Sequence, residues 1–294
     1  MKLGTLVSTT IMGLMLSTSL TLAGPETVSG PGANPECFAP WDADTKYMQW
    51  SAKEGPYKIA VVNGFVGNGW RIQMIKTAKA FAEDPSMKDK IAEFKVVSTG
   101  TDAPAQLGAI EDFINQGYDA IVTIAVAPEG FDRVIRLADK NDVVLVPFDN
   151  VLDTDAVMQV NEDQLLMGRT WAEFALKELA AKGITSGDIL EVRGLAGNSV
   201  DRDRSIGINE VLEADDGDWN VTQVVGNWDD GTAQKVVADA IAVHGEFDAI
   251  IAQGGTVGVV QAMIDSGHPF VPVTGESVSY THLRALETGR NLVC

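Results

Sequence analysis

The chain has 294 residues and a formal net charge of −19, long enough for two lobes with cores of their own and acidic enough to exclude nucleic acid as a partner. Its two cysteines, Cys37 and Cys294, and its three histidines, His244, His268 and His282, show no metal-ligand spacing. No GxSxG elbow is present, so the usual signatures of metal and nucleophile catalysis are missing from the sequence.

Met1-Lys2 and the apolar run Leu3 to Leu22, closing in Thr21-Leu22-Ala23, read as a secretory signal over 1–23 that directs the chain to the periplasm. A retained membrane anchor is the alternative, without a second apolar span to support it. Residues 24–56 hold several prolines and the aromatics Trp41, Tyr47 and Trp50, and are expected to form an irregular N-terminal arm.

Lys58 to Glu83 is the segment around which the rest of the chain is organised. Ile59 to Val62 is a short apolar run suited to a parallel strand buried on both faces. Beyond Gly69, Ile72, Ile75, Ala78 and Ala82 recur at helical spacing, with Met74 and Phe81 beside them. The loop between strand and helix therefore lies at a strand's carboxyl end, the edge where open α/β sheets bind ligands. Its glycines, Gly64, Gly67 and Gly69, do not match GxGxxG, no Lys-Ser or Lys-Thr comes after them, and the second strand ends Val97-Ser98-Thr99 without a carboxylate, so a nucleotide is not indicated. The loop instead presents Phe65, Asn68, Trp70 and Arg71, flat apolar faces beside hydrogen-bonding tips, a mixture that suits a sugar.

Further strands are expected at Phe94 to Ser98, Tyr118 to Val126 and Val143 to Phe148, with helices over Ala103 to Gln116 and Phe131 to Lys140. The chain then crosses to a second unit near Val160-Asn161, with Asn161 expected to cap a helix over Glu162 to Lys182. Strands at Asp188 to Val192, Val221 to Val225, Phe247 to Gln253 and Phe270 to Thr274 alternate with helices over Ser199 to Leu212, Thr232 to Val243 and Thr256 to Asp265. Tyr118-Asp119-Ala120-Ile121 recurs as Phe247-Asp248-Ala249-Ile250, 129 positions on (248 − 119). The fold class is α/β: two similar doubly wound parallel-sheet lobes, 57–160 and 161–276. Their fourth strands end in carboxylates, Asp149 and Glu276, which face one cleft if the strand ends are opposed.

With Gly69-Trp70-Arg71, Phe148-Asp149-Asn150, Gly197-Asn198-Ser199, Asp203-Arg204 and Gln253-Gly254-Gly255 in view, the chain resembles the type I periplasmic sugar-binding proteins of ABC transporters, from about Tyr57 to Glu276. The resemblance implies a monomer without a cofactor that binds a sugar between two lobes and hands it to an inner-membrane permease. It implies ligand roles for Trp70, Arg71, Asp149, Asn150, Arg204, Trp228 and Glu276, to which the loop reading adds Phe65 and Asn68, and the motifs add Asn198 and Gly254. Gly254-Gly255 departs from the Asn frequent at that strand tip, which removes a hydroxyl partner and is expected to open room. Asn150 stands where ribose binders often carry Arg, which argues against ribose itself.

The family continues past its second acid and crosses back to the first lobe. Here Val278 to Cys294 resembles a translated sequencing-adapter tail, so 277–294 reads as non-native and the second lobe as incomplete. Other functions weighed are a sugar-responsive repressor, disfavoured by the export signal, a ligand sensor of the same fold for chemoreception, autoinducers or polyols, and a periplasmic glycosidase built on Asp149 and Glu276. At Trp70 and Trp228 core packing competes with stacking on a ligand, and Arg204 has a surface pairing with Asp201 or Asp203 as its alternative.

Overall fold

The computed structural model describes residues 24–30, 40 and 42–275. The signal segment, Cys37, Trp41, Glu276 and the tail through Cys294 lie outside the described residues. The arm is not wholly irregular. Its strands β1 (Glu26–Val28) and β2 (Tyr47–Gln49) form a small antiparallel pair, Thr27 opposite Met48.

Two four-stranded parallel sheets form the body of the molecule. The first contains β3 (Tyr57–Asn63), β4 (Ile91–Ser98), β5 (Ala120–Thr123) and β6 (Val144–Pro147), in the order β4-β3-β5-β6. The second contains β7 (Ser186–Arg193), β8 (Asp218–Val225), β9 (Ala249–Ala252) and β10 (Val273–Thr274), in the same spatial order, β8-β7-β9-β10. Ile59 stands opposite Ala120 as Ile189 stands opposite Ala249, so the lobes are equivalent residue by residue at their first and third strands.

The repeated Asp-Ala-Ile has a physical cause in this register. The Asp119 carboxylate accepts from the Lys58 N–H at 2.8 Å while its own N–H donates to the Lys58 carbonyl at 2.9 Å. Asp248 does the same to Asp188, at 2.9 and 2.8 Å. Each aspartate pins the start of a third strand to the first. Gly187 is small because a β-carbon there would lie 2.0 Å from the Asp248 carboxylate.

The helices are α1 (Gly69–Glu83), α2 (Ala103–Asn115), α3 (Asp132–Lys140), α4 (Gln164–Ala181), α5 (Ser199–Ala214), α6 (Asp230–His244) and α7 (Thr256–Ser266). On one face of the first sheet, Ile110, Phe113 and Ile114 of α2 and Val134 and Ile135 of α3 pack against Ala60, Val62 and Leu145. In the second lobe α6 and α7 cover one face around Leu190, Val237 and Met263, and α4 and α5 cover the other around Ile189, Leu179 and Ile208. No such core cluster forms on the α1 side of the first sheet, where an apolar groove lined by Met74, Phe81, Phe94 and Phe148 remains among the described residues. The α1 stripe is accordingly only partly covered: Ile72 is 43% and Phe81 60% exposed, and Ala82, at 8%, is its buried apolar residue.

The helix that opens the second half of the chain has a different cap from the one expected. After β6 the chain returns so that Val160 bridges in parallel to Phe148, and α4 begins at Gln164 with Asp163 accepting from the Leu166 N–H at 2.8 Å. Asn161 instead accepts from the Gln164 side-chain amide at 3.1 Å, two residues short of the cap position.

Candidate functional site

The carboxyl ends of both sheets converge on a cavity of about 200 Å³. Asn68, Gly69, Trp70, Arg71, Asp149 and Asn150 line it from the first lobe, and Val200, Arg204, Trp228, Asp230, Gln253 and Gly254 are among its walls in the second. The amino-terminal turns of α1 and α7, with Asp230 at the start of α6, line it.

Arg71 occupies the first turn of α1 and is 5% exposed. Its Nη1 donates to Asn63 Oδ1 at 3.0 Å, its Nη2 lies 3.9 Å from Asp149 Oδ2, and the rings of Phe65 and Trp70 flank it at 5.8 and 5.4 Å. Asp149 comes just after β6 in the left-handed conformation, φ 62°, which turns the chain sharply at the strand's exit. The Asn150 amide donates to the Ala125 carbonyl at 2.6 Å, while its Oδ1 is buried with no protein partner among the described residues.

Arg204 is set by helix packing. A β-carbon on Gly168 of α4 would lie 2.1 Å from the Arg204 carbonyl oxygen, and one on Gly207 of α5 would lie 2.2 Å from that of Leu165, so the two helices cross glycine to glycine. At that distance Gln164, the first residue of α4, accepts from Arg204 Nε at 2.7 Å. Arg204 Nη1 donates to the Gln253 carbonyl at 3.2 Å, Nη2 stands 3.9 Å from Glu162, and the guanidinium lies 5.2 Å from the Trp171 ring. Arg204 is thus 2% exposed and does not pair with Asp201 or Asp203, which bind Arg193 and Arg202.

Trp228 both packs and lines the cavity. Its indole lies over two glycines, since a β-carbon on Gly194 would be 2.1 Å from it and one on Gly254 2.9 Å. The room expected at Gly254 is therefore filled by this ring. Trp70 likewise divides its surface, one part lining the cavity and another the apolar groove behind α1. Both tryptophans therefore pack against the protein and line the cavity at once.

Among the expected residues, Asn68, Trp70, Arg71, Asp149, Asn150, Arg204, Trp228 and Gly254 meet around one cavity. Phe65 stands behind Arg71, and Asn198 turns to the opposite lobe, so neither is part of the lining. Glu276 lies outside the described residues. Sequence reasoning does not single out Val200, Asp230, Gln164 or Asn63. Val200 is the counterpart of Trp70, 130 positions on (200 − 70), visible once the register is known; Gln164 and Asn63 act through the two arginines and carry no motif of their own.

Below the floor, Gln253 donates to the Asp201 carbonyl at 3.1 Å and to Glu191 at 3.4 Å, while its Oε1 has no protein partner among the described residues. Glu191 is fully buried, and that burial pushes its carboxyl above the usual range against the pull of Ser205 and Arg193. Among the described residues no group of acidic, His or Cys side chains is placed to hold a metal. The cavity presents carboxylate and amide acceptors beside guanidinium donors with an aromatic wall, which is complementary to a neutral polyhydroxylated molecule.

Comparison with known proteins agrees with this fold. Residues 59–291 match the sequence profile of the periplasmic binding protein domain. The xylitol-binding protein of Mycolicibacterium smegmatis is 25% identical over 196 residues, 65% of this chain and 55% of that protein. The galactofuranose-binding protein of Escherichia coli is 27% identical over 150 residues, 50% of this chain and 45% of that protein. The chain thus spans about half the length of these curated relatives. The crystal structure of an ABC transporter solute-binding protein from Thermobispora bispora superposes with a TM-score of 0.68 at 27% identity, covering 79% of this chain and 72% of that one.

Proposed function

The chain belongs to the periplasmic binding protein domain family, and from that premise we propose that it captures a small neutral sugar or sugar alcohol between its lobes and, in the periplasm, presents it to an ABC permease. The observation that carries the reading is the placement of Arg71 with Asp149 on one wall and of Arg204 with Asp230 on the other, around a cavity of about 200 Å³. That volume lies below the usual range of about 300–1,000 Å³ for ligand pockets, which favours a single sugar unit over an oligosaccharide. The opposed charges leave no net demand for a charged ligand. Trp70 and Trp228 cover the apolar C–H faces, while Asp149, Asn150 and Asp230 accept from hydroxyls and the arginines donate. The protein works as a monomer and needs no cofactor.

Names of relatives point the same way, toward pentitols and furanose sugars. A thermal-shift panel of xylitol, L-arabinose, D-ribose and D-galactose tests the proposal. A ligand at a hundred times its dissociation constant adds about 2.7 kcal/mol to stability, and a melting temperature unmoved by every member of the panel overturns the reading.

A further inference from the structure

Asn68 and Asn198 occupy the same place in the two lobes, 130 positions apart (198 − 68), as do Asn63 and Arg193 at the ends of the first strands. Each precedes the helix that comes after its lobe's first strand. Each uses Oδ1 to cap that helix, accepting from the Arg71 N–H at 2.9 Å and the Val200 N–H at 2.9 Å. An asparagine cap has an amide to spare, and both residues give it to the opposite lobe. Asn68 Nδ2 donates to the Trp228 carbonyl at 3.0 Å, and Asn198 Nδ2 donates to the carbonyls of Ala125 and Val126 at 3.3 and 3.2 Å.

Capping alone does not account for the choice of residue. Asn, Asp and Ser cap about equally well, and α2, α4 and α6 are capped by Asp102, Asp163 and Asp229. Asparagine stands at α1 and α5, where the cap side chain meets carbonyl oxygens across the cleft. A carboxylate there would face those oxygens with like charge; an amide bonds to them. The donors are equivalent by the lobes' symmetry, whereas the acceptors are not, one lying beyond the second strand of its lobe and the others beyond the third. The Trp228 carbonyl is fixed in advance, because Asn227 and Trp228 both hold left-handed backbone, φ 55° and 54°, and the indole is packed over Gly194 and Gly254. Ser199 Oγ, donating to the Val151 carbonyl at 2.8 Å, extends the same seam.

We infer that Asn68 and Asn198 are a matched pair of closure latches: positioning residues that hold the lobes together in the ligand-free protein and raise ligand affinity through the closed state, rather than through a contact that selects the ligand. The affinity part rests on the binding reading above; the closure part does not.

The test replaces the donor and keeps the cap, with N68D, N198D and the double variant, and with N68S and N198S as a second set that adds no charge. D163N is the control, an exchange at a cap whose side chain bonds only to its own helix among the described residues. Small-angle scattering of the ligand-free proteins should match the closed structure for wild type and D163N, and show a larger radius of gyration for the latch variants, largest for the double. Melting temperatures should stay close to wild type, since the caps are intact. For whichever member of the xylitol, arabinose, ribose and galactose panel binds wild type, each single variant should weaken binding roughly two- to tenfold, the weight of one hydrogen bond. Panel members should keep their relative order in the Asn198 variants, whose side chain lies outside the cavity lining. Scattering curves that coincide for wild type and the double variant overturn the inference, as does a changed order of ligand preference in the Asn198 variants. If nothing in the panel binds wild type, the binding reading fails, and the scattering result alone decides the latch.

Discussion

Gly168 of α4 lies so close to Arg204 of α5 that a β-carbon on the glycine would stand 2.1 Å from the arginine's carbonyl oxygen. Arg204 is therefore held from behind by backbone, and its guanidinium reaches Gln164 and the Gln253 carbonyl only because α4 and α5 touch. Gly168→Ala pushes the helices apart. Overpacking of this kind costs about 1–3 kcal/mol, and the same displacement withdraws Arg204 from its partners. The expected result is a lowered urea midpoint together with weakened sugar binding. Full affinity in a destabilised variant would separate the helix crossing from the site.

Arg204→Lys keeps the charge and loses the fork. Nε serves Gln164 and Nη1 serves the Gln253 carbonyl from one planar group, and an ammonium on a flexible stem cannot hold both in that geometry. A buried hydrogen bond involving a charged group is worth about 1.5–3 kcal/mol, so binding should weaken by one to two orders of magnitude in titration calorimetry. Binding within twofold of wild type would remove Arg204 from the ligand's grip.

Glu191 predicts a pH dependence whose sign comes from its surroundings. Burial raises its folded-state value above the unfolded one, so above the ordinary glutamate value of 4.5 the folded chain binds more protons than the unfolded chain. Stability contributed by this group is highest at low pH and falls as pH rises from the unfolded value to the folded one, with a slope of at most about 1.4 kcal/mol per unit. Glu191→Gln removes that titration. Melting curves of wild type and the Glu191→Gln variant, taken from pH 4 to 8, should diverge as pH rises, with wild type losing more stability than the variant. Parallel curves would mean the carboxyl is not titrating in its buried site.

Much of this molecule was legible in the sequence because its order is local. Alternating apolar runs and amphipathic stretches located the strands and helices of both lobes, with bounds differing by one to a few residues, and the Tyr118-Asp119 repeat identified two copies of one unit. Asn68 to Arg71 and the exit Asp149-Asn150 were readable as candidates for the cavity lining because they lie at strand carboxyl ends, and Phe65, read with them, is not in that lining. What stayed hidden depends on distances between elements. Asn161 looks like a cap from its residue type, but the cap falls two residues later, at Asp163, and the helix begins at Gln164. Gly254 looks like empty space until Trp228 is seen lying on it. Asn198 is given to the ligand by the family resemblance, through the motif Gly197-Asn198-Ser199, and its turn toward Ala125 is a property of the other lobe.

The Trp228 wall gives the last prediction. Gly194 and Gly254 bracket the indole, and a β-carbon on Gly254 would sit 2.9 Å from its Cδ1. The ring cannot retreat, because Gly194 already lies against its Cε2 and Nε1 edge. Gly254→Ala must therefore tilt the indole into the cavity it lines, and a cavity of about 200 Å³ has little room to lose. Gly254 does not hold left-handed backbone, so alanine brings no backbone strain of its own there. The expected signature is a shifted tryptophan emission and near-ultraviolet circular dichroism with sugar affinity reduced about tenfold, and stability lowered by about 1–3 kcal/mol from the added methyl. Trp228→Phe in the same background relieves the clash by shrinking the ring, and should recover stability without recovering full affinity, because the smaller face covers less of the ligand. Affinity that tracks stability in both variants would reduce Trp228 to a packing residue.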